Sequence, residues 1–231
     1  MSSPAAAIAE KAYVQPVAPG RWGDDVDLRP LDMVKALGIV TGYDRNSEIF
    51  SEDSLADHFY VVLSGAVRIC KLLGDGRRQI ETFCLAGDVF GWETGPRHRF
   101  SAEAVSECKV ARVKRSILFA RAADDADLAH ALWTLTAAEL GRAQDHLLVL
   151  GRKTAQERVA TFLLDMAGRV GGNGTEVTLP MSRQDIADYL GLTIETVSRT
   201  LTHLEEVAAI ALPSSRRVLL RDRAALKRLN A

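Results

Sequence analysis

The sequence predicts an α+β fold in three parts: a small N-terminal β-barrel of jelly-roll type, one long helix, and a C-terminal winged helix-turn-helix. Three observations carry this. Short apolar runs rich in branched residues and punctuated by glycine fill the stretch up to Val113. A helical period then starts at Asp124 and holds for about 30 residues. Finally, two short helix patterns meet at Gly191 and are followed by a hairpin pattern. With 231 residues and 47% apolar composition, the chain can bury one or two cores of ordinary quality.

Residues 1–25 are Ala/Pro-rich and aperiodic, and a flexible segment is expected there. The barrel is expected over residues 26–123, beginning with a helical turn or two in "PLDMVKALGIV", where Leu31, Val34 and Leu37/Gly38 have helical spacing. Phe59–Leu63 and Val67–Leu73 then read as strands around Gly65. Gly74–Gly76, "GDG", suits the positive-φ positions of a hairpin turn, with Ile80–Leu85 as the returning strand. Gly87-Asp88 marks another turn, and Ser101–Val113 holds two more strands. Many short strands at close spacing imply a closed or double sheet.

The long helix is assigned to residues 124–152, with Asp124 or Asp125 as its cap. Trp133, Thr136, Leu140, Ala143, Leu147, Leu150 and Thr154 step by three and four along one face. Leu128, Leu132 and Leu135 lie on another. Two apolar faces suit a helix that packs on the barrel with one and pairs with a second copy through the other. A single long amphipathic helix buried within one domain is the alternative.

Residues 153–231 form the last part. In "KTAQERVATFLLDMAGRVGG", Val159, Phe162, Leu163 and Met166 share the inner side of a helix that Gly171-Gly172 would close. A helix from Ser182 to Leu190, a turn at Gly191, and a second helix capped by Thr193 follow. Ile186, Ala187 and Leu190 face Val197, Leu201 and Leu204 in a shared apolar seam. "IALPSSRRVLL" then reads as a hairpin and "DRAALKRL" as a last short helix, completing a winged helix.

Composition excludes several classes. Cys70, Cys84 and Cys108 are an odd number with no CxxC or CxxH spacing, so neither a disulfide framework nor a zinc site is expected. The first 20 residues lack the continuous apolar stretch of a signal peptide, and no run approaches the ~20 apolar residues needed to span a bilayer. A cytoplasmic protein is expected, with no membrane partner. No P-loop, GxSxG, HExxH or paired-carboxylate pattern points to catalysis. Charge, in contrast, is informative. Residues 152–231 carry 12 Lys/Arg against 9 Asp/Glu, while residues 1–151 carry 17 against 21. The C-terminal excess permits a polyanionic partner.

Double-stranded DNA is that partner if the second helix of the pair enters the major groove N-terminus first. Arg199 has the fork that matches guanine O6 and N7, Glu195 can accept from a cytosine amino group, and Ser198 can meet a base edge. Thr193, Thr196 and the helix N-terminus suit phosphate oxygens, with Arg183 and the wing residues Arg216 and Arg217 as clamps. A solvent-exposed Glu195–Arg199 ion pair at i, i+4 is the plainer reading of the same residues.

Barrel, long helix and winged helix in this order resemble the CRP/FNR transcription regulators. The stretches that carry the likeness are "FYVVLSGAVRI", "LAGDVFG", "ERVATFLL" and above all "DIADYLGLTIETVSRTLTHLEE". The resemblance covers about residues 30–230 and implies a cyclic-nucleotide-binding-like barrel, a homodimer through the long helix and activation through RNA polymerase. Glu195-x-x-Ser198-Arg199 is similar to the fumarate/nitrate branch, which implies TTGAT-type half-sites. Ile194 and Ser198 stand where the cyclic-AMP branch has Arg and Gly.

The signal is less marked. Trp92 follows Gly91 where the family's nucleotide-binding Glu would stand, and His98-Arg99 occupies the place of its phosphate-binding Arg-Ser pair. Glu93 and Arg99 are candidate substitutes for holding a cyclic nucleotide. No cysteine precedes Cys70, so a four-thiolate N-terminal iron–sulfur cluster is not expected. His58, His98, His130, His146 and His203 are scattered and mark no haem site. The pattern is most similar to the FixK-type branch, which implies control of oxygen-limitation or nitrogen-fixation genes, no cofactor and no obligatory effector. A ligand-gated regulator using a cyclic nucleotide or haem, and a repressor on the same sites, remain the alternatives.

Overall fold

The computed structural model describes residues 38–170 and 175–230. The flexible segment expected at 1–25, the first helical turn over 30–37 and the Gly171-Gly172 cap lie outside the described residues. Strands β1 (Ile39–Tyr43), β2 (Glu48–Phe50), β3 (His58–Ser64), β4 (Ala66–Leu72), β5 (Arg78–Leu85), β6 (Val89–Phe90), β7 (Ser101–Ala104) and β8 (Cys108–Lys114) form two four-stranded sheets. Their orders are β1-β8-β3-β6 and β2-β7-β4-β5, with antiparallel pairing throughout. Ile39 and Val40, read above as the end of a helix, pair with Arg112 and Ala111 instead. Their branched side chains suit an edge strand, and a short apolar run has no period long enough to separate the two states. Of the "GDG" glycines, only Gly76 has positive φ, at 83°.

Alternation along the strands sorts side chains between two cores. Tyr60 and Val62 of β3 point into the barrel beside Val67, Ile69, Phe90 and Val110, whereas Phe59 and Val61 point outward beneath helices. The outer layer comprises α1 (Arg115–Asp124), unforeseen from the sequence, and α2 (Ala126–Arg152). Asp124 therefore ends one helix, while Asp125 caps the next by accepting from the Leu128 amide at 3.0 Å. Leu128 and Leu135 are buried against β3 and Leu118, so the stripe assigned to barrel packing does pack there.

The opposite sheet carries the winged helix. Its elements are α3 (Ala155–Arg169), β9 (Glu176–Thr178), α4 (Arg183–Leu190), α5 (Ile194–Glu206), β10 (Ile210–Ala211), β11 (Arg217–Leu220) and α6 (Arg223–Asn230). Thr154 is not part of the α2 stripe: α2 ends at Arg152, and Thr154 caps α3 in a reciprocal box with Glu157. The wing has a third strand, β9, in the order β10-β11-β9.

A bulge makes the junction of barrel and winged helix possible. Ile69 pairs with Thr82 but Cys70 with Ile80, so Glu81 is the extra residue in β5. One additional residue reverses strand parity. Ile80 and Phe83 consequently both face outward, where they share one core with Phe162, Leu163, Met166 and Ile186. Phe83 lies 5.3 Å from the Tyr189 ring of α4 and 6.4 Å from Phe162 of α3.

Candidate nucleic-acid interface

The two helices α4 and α5 each begin at a side-chain cap. Ser182 accepts from the Asp185 amide while Asp185 accepts from the Ser182 amide, so the first helical residue is Arg183 rather than Ser182. Gly191 closes α4 in the left-handed region, φ 61°, which a residue with a Cβ adopts only at a cost. Thr193 then caps α5, its Oγ1 3.2 Å from the Thr196 amide and 3.0 Å from Thr196 Oγ1. Ile186, Ala187 and Leu190 are buried with Val197, Leu201 and Leu204, which sets α5 firmly across α4.

With the seam buried, the other face of α5 points to solvent. Glu195, Ser198 and Arg199 are three and four positions apart and share that face. Glu195 and Arg199 are exposed and Ser198 half-exposed. The plainer reading, an i, i+4 ion pair, is not realised: among the described residues neither Glu195 nor Arg199 has an ion-pair partner. Both therefore keep their full hydrogen-bonding capacity for an incoming base edge.

The clamps divide. Arg183, at the first position of α4, and Arg216, at the wing tip, have no ion-pair partner among the described residues. Arg217 is tied to Glu176 of β9, Nε to Oε1 at 2.7 Å, so it braces the wing sheet instead of standing free. That pairing was invisible beforehand because β9 itself was not recognised.

The face of α2 assigned to a second copy is bare. Trp133 is 72% exposed, Leu140 60% and Leu147 68%, with Thr136 and Ala143 also exposed. Leu150, the last of that stripe, is half-buried. Apolar surface of this size rarely stays in water.

In the barrel, Glu93, His98 and Arg99 lie close together. Glu93 accepts from Arg99 twice, from the backbone amide at 3.0 Å and from Nε at 3.1 Å. His98 is 1% exposed and stacks on Phe50 with 3.6 Å between centroids. Neither ring nitrogen has a hydrogen-bond partner among the described residues, and Glu93 Oε1 stands 4.0 Å away, too far for one. Burial pushes the His98 pKa down. Trp92 donates to the Val89 carbonyl and meets Phe59 edge-on, a packing role. Burial raises the Cys70 thiol to about 11 and also lifts Cys84 and Cys108, so none of the three is a ready thiolate. Among the described residues no group of His, Cys, Asp and Glu is placed to hold a metal ion, and no helix is long and apolar enough to cross a membrane.

Sequence reading missed the contacts that hold α4 and α5 against the barrel. Arg68 of β4 and Arg78 of β5 reach Asp185 of α4 at 3.1 and 2.6 Å, and Arg78 reaches Asp188 at 2.8 Å. Arg158 donates to the carbonyls of Leu150, Lys153 and Leu190, joining the end of α2 to the end of α4. His146 of α2 stacks on Tyr189 at 4.1 Å. No local pattern marks partners more than 100 residues apart.

A jelly roll, a long helix with a bare apolar face and an unpaired acid–hydroxyl–base face on a winged helix define a DNA-binding transcription regulator of the Crp type. Comparison agrees: the profile of the Crp-like helix-turn-helix domain matches residues 157–229, and that of the cyclic nucleotide-binding domain matches residues 40–125. The chain belongs to the FixK family of transcription regulators. It is 64% identical to the "Nitrogen fixation regulation protein FixK" of Azorhizobium caulinodans, over 98% of this chain and 96% of that protein. The protein of that name from Rhizobium meliloti is 47% identical over 83% of this chain and 87% of its own length. The solved structure of FixK2 from Bradyrhizobium japonicum superposes with a TM-score of 0.81 at 50% identity, covering 84% of this chain and 98% of that one.

Proposed function

We propose that this FixK-family chain acts in the cytoplasm as a homodimeric activator of oxygen-limitation or nitrogen-fixation genes, and is not an enzyme. The dimer reads a palindrome of TTGAT-type half-sites and recruits RNA polymerase, with no obligatory small-molecule effector. The reading module comprises residues 153–231, and α2 joins the two copies through Trp133, Thr136, Leu140, Ala143, Leu147 and Leu150. One observation carries the reading: Glu195, Ser198 and Arg199 project unpaired from the solvent face of a capped, braced helix. Arg199 contacts the guanine and Glu195 a cytosine. Thr193, Thr196, Arg183, Arg216 and Arg217 meet phosphates, Arg217 from its pair with Glu176. Effector independence is supported by the barrel, where Glu93 is engaged by Arg99 and the His98 ring is packed on Phe50.

The test is fluorescence anisotropy of purified protein with a TTGAT/ATCAA duplex, with and without cyclic AMP. The unmutated protein binds tightly in both series. Arg199→Ala loses about 1–3 kcal/mol per half-site. Equal binding by Arg199→Ala removes the base-reading assignment, and binding seen only with cyclic AMP removes effector independence.

A further inference from the structure

We infer that Arg78, together with Arg68, Asp185 and Asp188, is a positioning device for DNA reading: the barrel grips α4 and thereby sets the angle of α5. This rests on the DNA-reading role proposed above and concerns what aims the helix, not what it touches. Asp185 sits between two guanidiniums, from Arg68 at 3.1 Å and Arg78 at 2.6 Å, and its side chain is 4% exposed. Arg68 is in turn held by Glu103 of β7, Nε to Oε2 at 2.8 Å. Asp188, one turn along α4, takes Arg78 Nε at 2.8 Å. Burial disfavours the Asp185 carboxylate, yet the Ser182 donors and the two guanidiniums together hold its pKa below the ordinary value.

The device acts through geometry. A fork that bonds two carboxylates one helical turn apart fixes both the height and the rotation of α4, which one bond would not do. Because α5 is locked to α4 by the buried seam, any rotation of α4 is passed to Glu195 and Arg199. The grip leaves the reading face uncovered, since Glu195 and Arg199 stay exposed while α4 is held. It therefore aims the helix and does not block it. Aim matters most when two helices must enter grooves one DNA turn, ~34 Å, apart, because an error at one subunit is repeated at its mate. A single half-site imposes no such demand.

The test compares affinities for a full palindrome and for a duplex with one half-site, using Arg78→Met, Asp188→Asn and Arg78→Lys. Arg78→Met and Asp188→Asn are expected to weaken palindrome binding roughly five- to fiftyfold, with half-site affinity held. Arg78→Lys, which keeps the cation but loses the fork, should recover only a small part of that loss. A second readout needs no DNA: nitroxides at Lys109→Cys on the barrel and Glu206→Cys on α5 report their separation by pulsed electron resonance. The distribution should broaden in Arg78→Met and stay broad in Arg78→Lys, which has no fork to hold both carboxylates. Unchanged palindrome affinity, parallel loss on both duplexes, or an unbroadened distance each overturns the inference. If the unmutated protein itself shows no preference for the palindrome, the proposed DNA role falls instead, and the distance distribution still decides whether the ionic grip sets the helix.

Discussion

The α4–α5 pair carries similar charged groups on two sides and treats them in opposite ways. On the barrel side, Asp185 and Asp188 are bound by arginines from strands over 100 residues away. On the outer side, Glu195 and Arg199 are four residues apart and make no ion pair. Sequence proximity favours the second pairing and structure selects the first. An exposed i, i+4 pair is worth only ~0.3–0.5 kcal/mol and is easily given up to water. A carboxylate removed from water must keep its partners, because losing one leaves a charge with nothing to replace its hydration. On this helix pair the buried and half-buried carboxylates keep ionic partners, whereas the exposed Glu195 and Arg199 do not.

Substitutions on the two sides should separate cleanly. The largest effect is expected at Asp185. Asp185→Ala leaves Arg68 and Arg78 short of a partner and opens the Ser182 capping box, at a cost of about 3 kcal/mol in urea unfolding. Arg199→Ala should stay within ~0.5 kcal/mol of the unmutated protein in that assay. Comparable losses at the two positions would erase the distinction. An intermediate effect is expected at Thr193, whose hydroxyl caps α5 but belongs to the outer side. Thr193→Ala should cost about 1 kcal/mol in unfolding, whereas Thr193→Ser retains the cap. Equal stability of the two variants would mean that the cap contributes nothing.

The smallest effect concerns His98, a buried ring whose nitrogens have no hydrogen-bond partner among the described residues. The folded barrel holds His98 below the ordinary imidazole value of about 6.5, first through burial. Its neutral ring is therefore favoured in the fold. The stability it contributes is complete above about pH 6.5 and is lost as pH falls toward the depressed folded value. His146, half-buried and with its pKa lowered first by burial, works in the same direction. Urea midpoints at pH 7.5 and 5.5 should differ less for His98→Phe than for the unmutated protein. An identical drop in both would show that His98 does not titrate with unfolding.

Much of this molecule was legible because its signals are local. The α5 cap at Thr193, the left-handed turn at Gly191 and the seam from Ile186 to Leu204 depend on spacing and on single-residue conformational preference, and each is where the pattern placed it. So were the two faces of α2, since the helical period alone separates Leu128 and Leu135 from Trp133 and Leu140. Misreadings occurred where the period was too short to measure, as at Ile39 and Val40, or where one extra residue altered it. Nothing in the sequence announced that Glu81 would shift β5 and turn both Ile80 and Phe83 toward the winged helix. The sequence by itself determined the helix-turn-helix, the two faces of α2 and which residues face outward on α5, because backbone preference and hydrophobic period act within a few residues. Only the tertiary structure decided where the module sits and which charges it keeps. A pair such as Arg78 and Asp185 becomes strong only after two distant segments exclude the water between them.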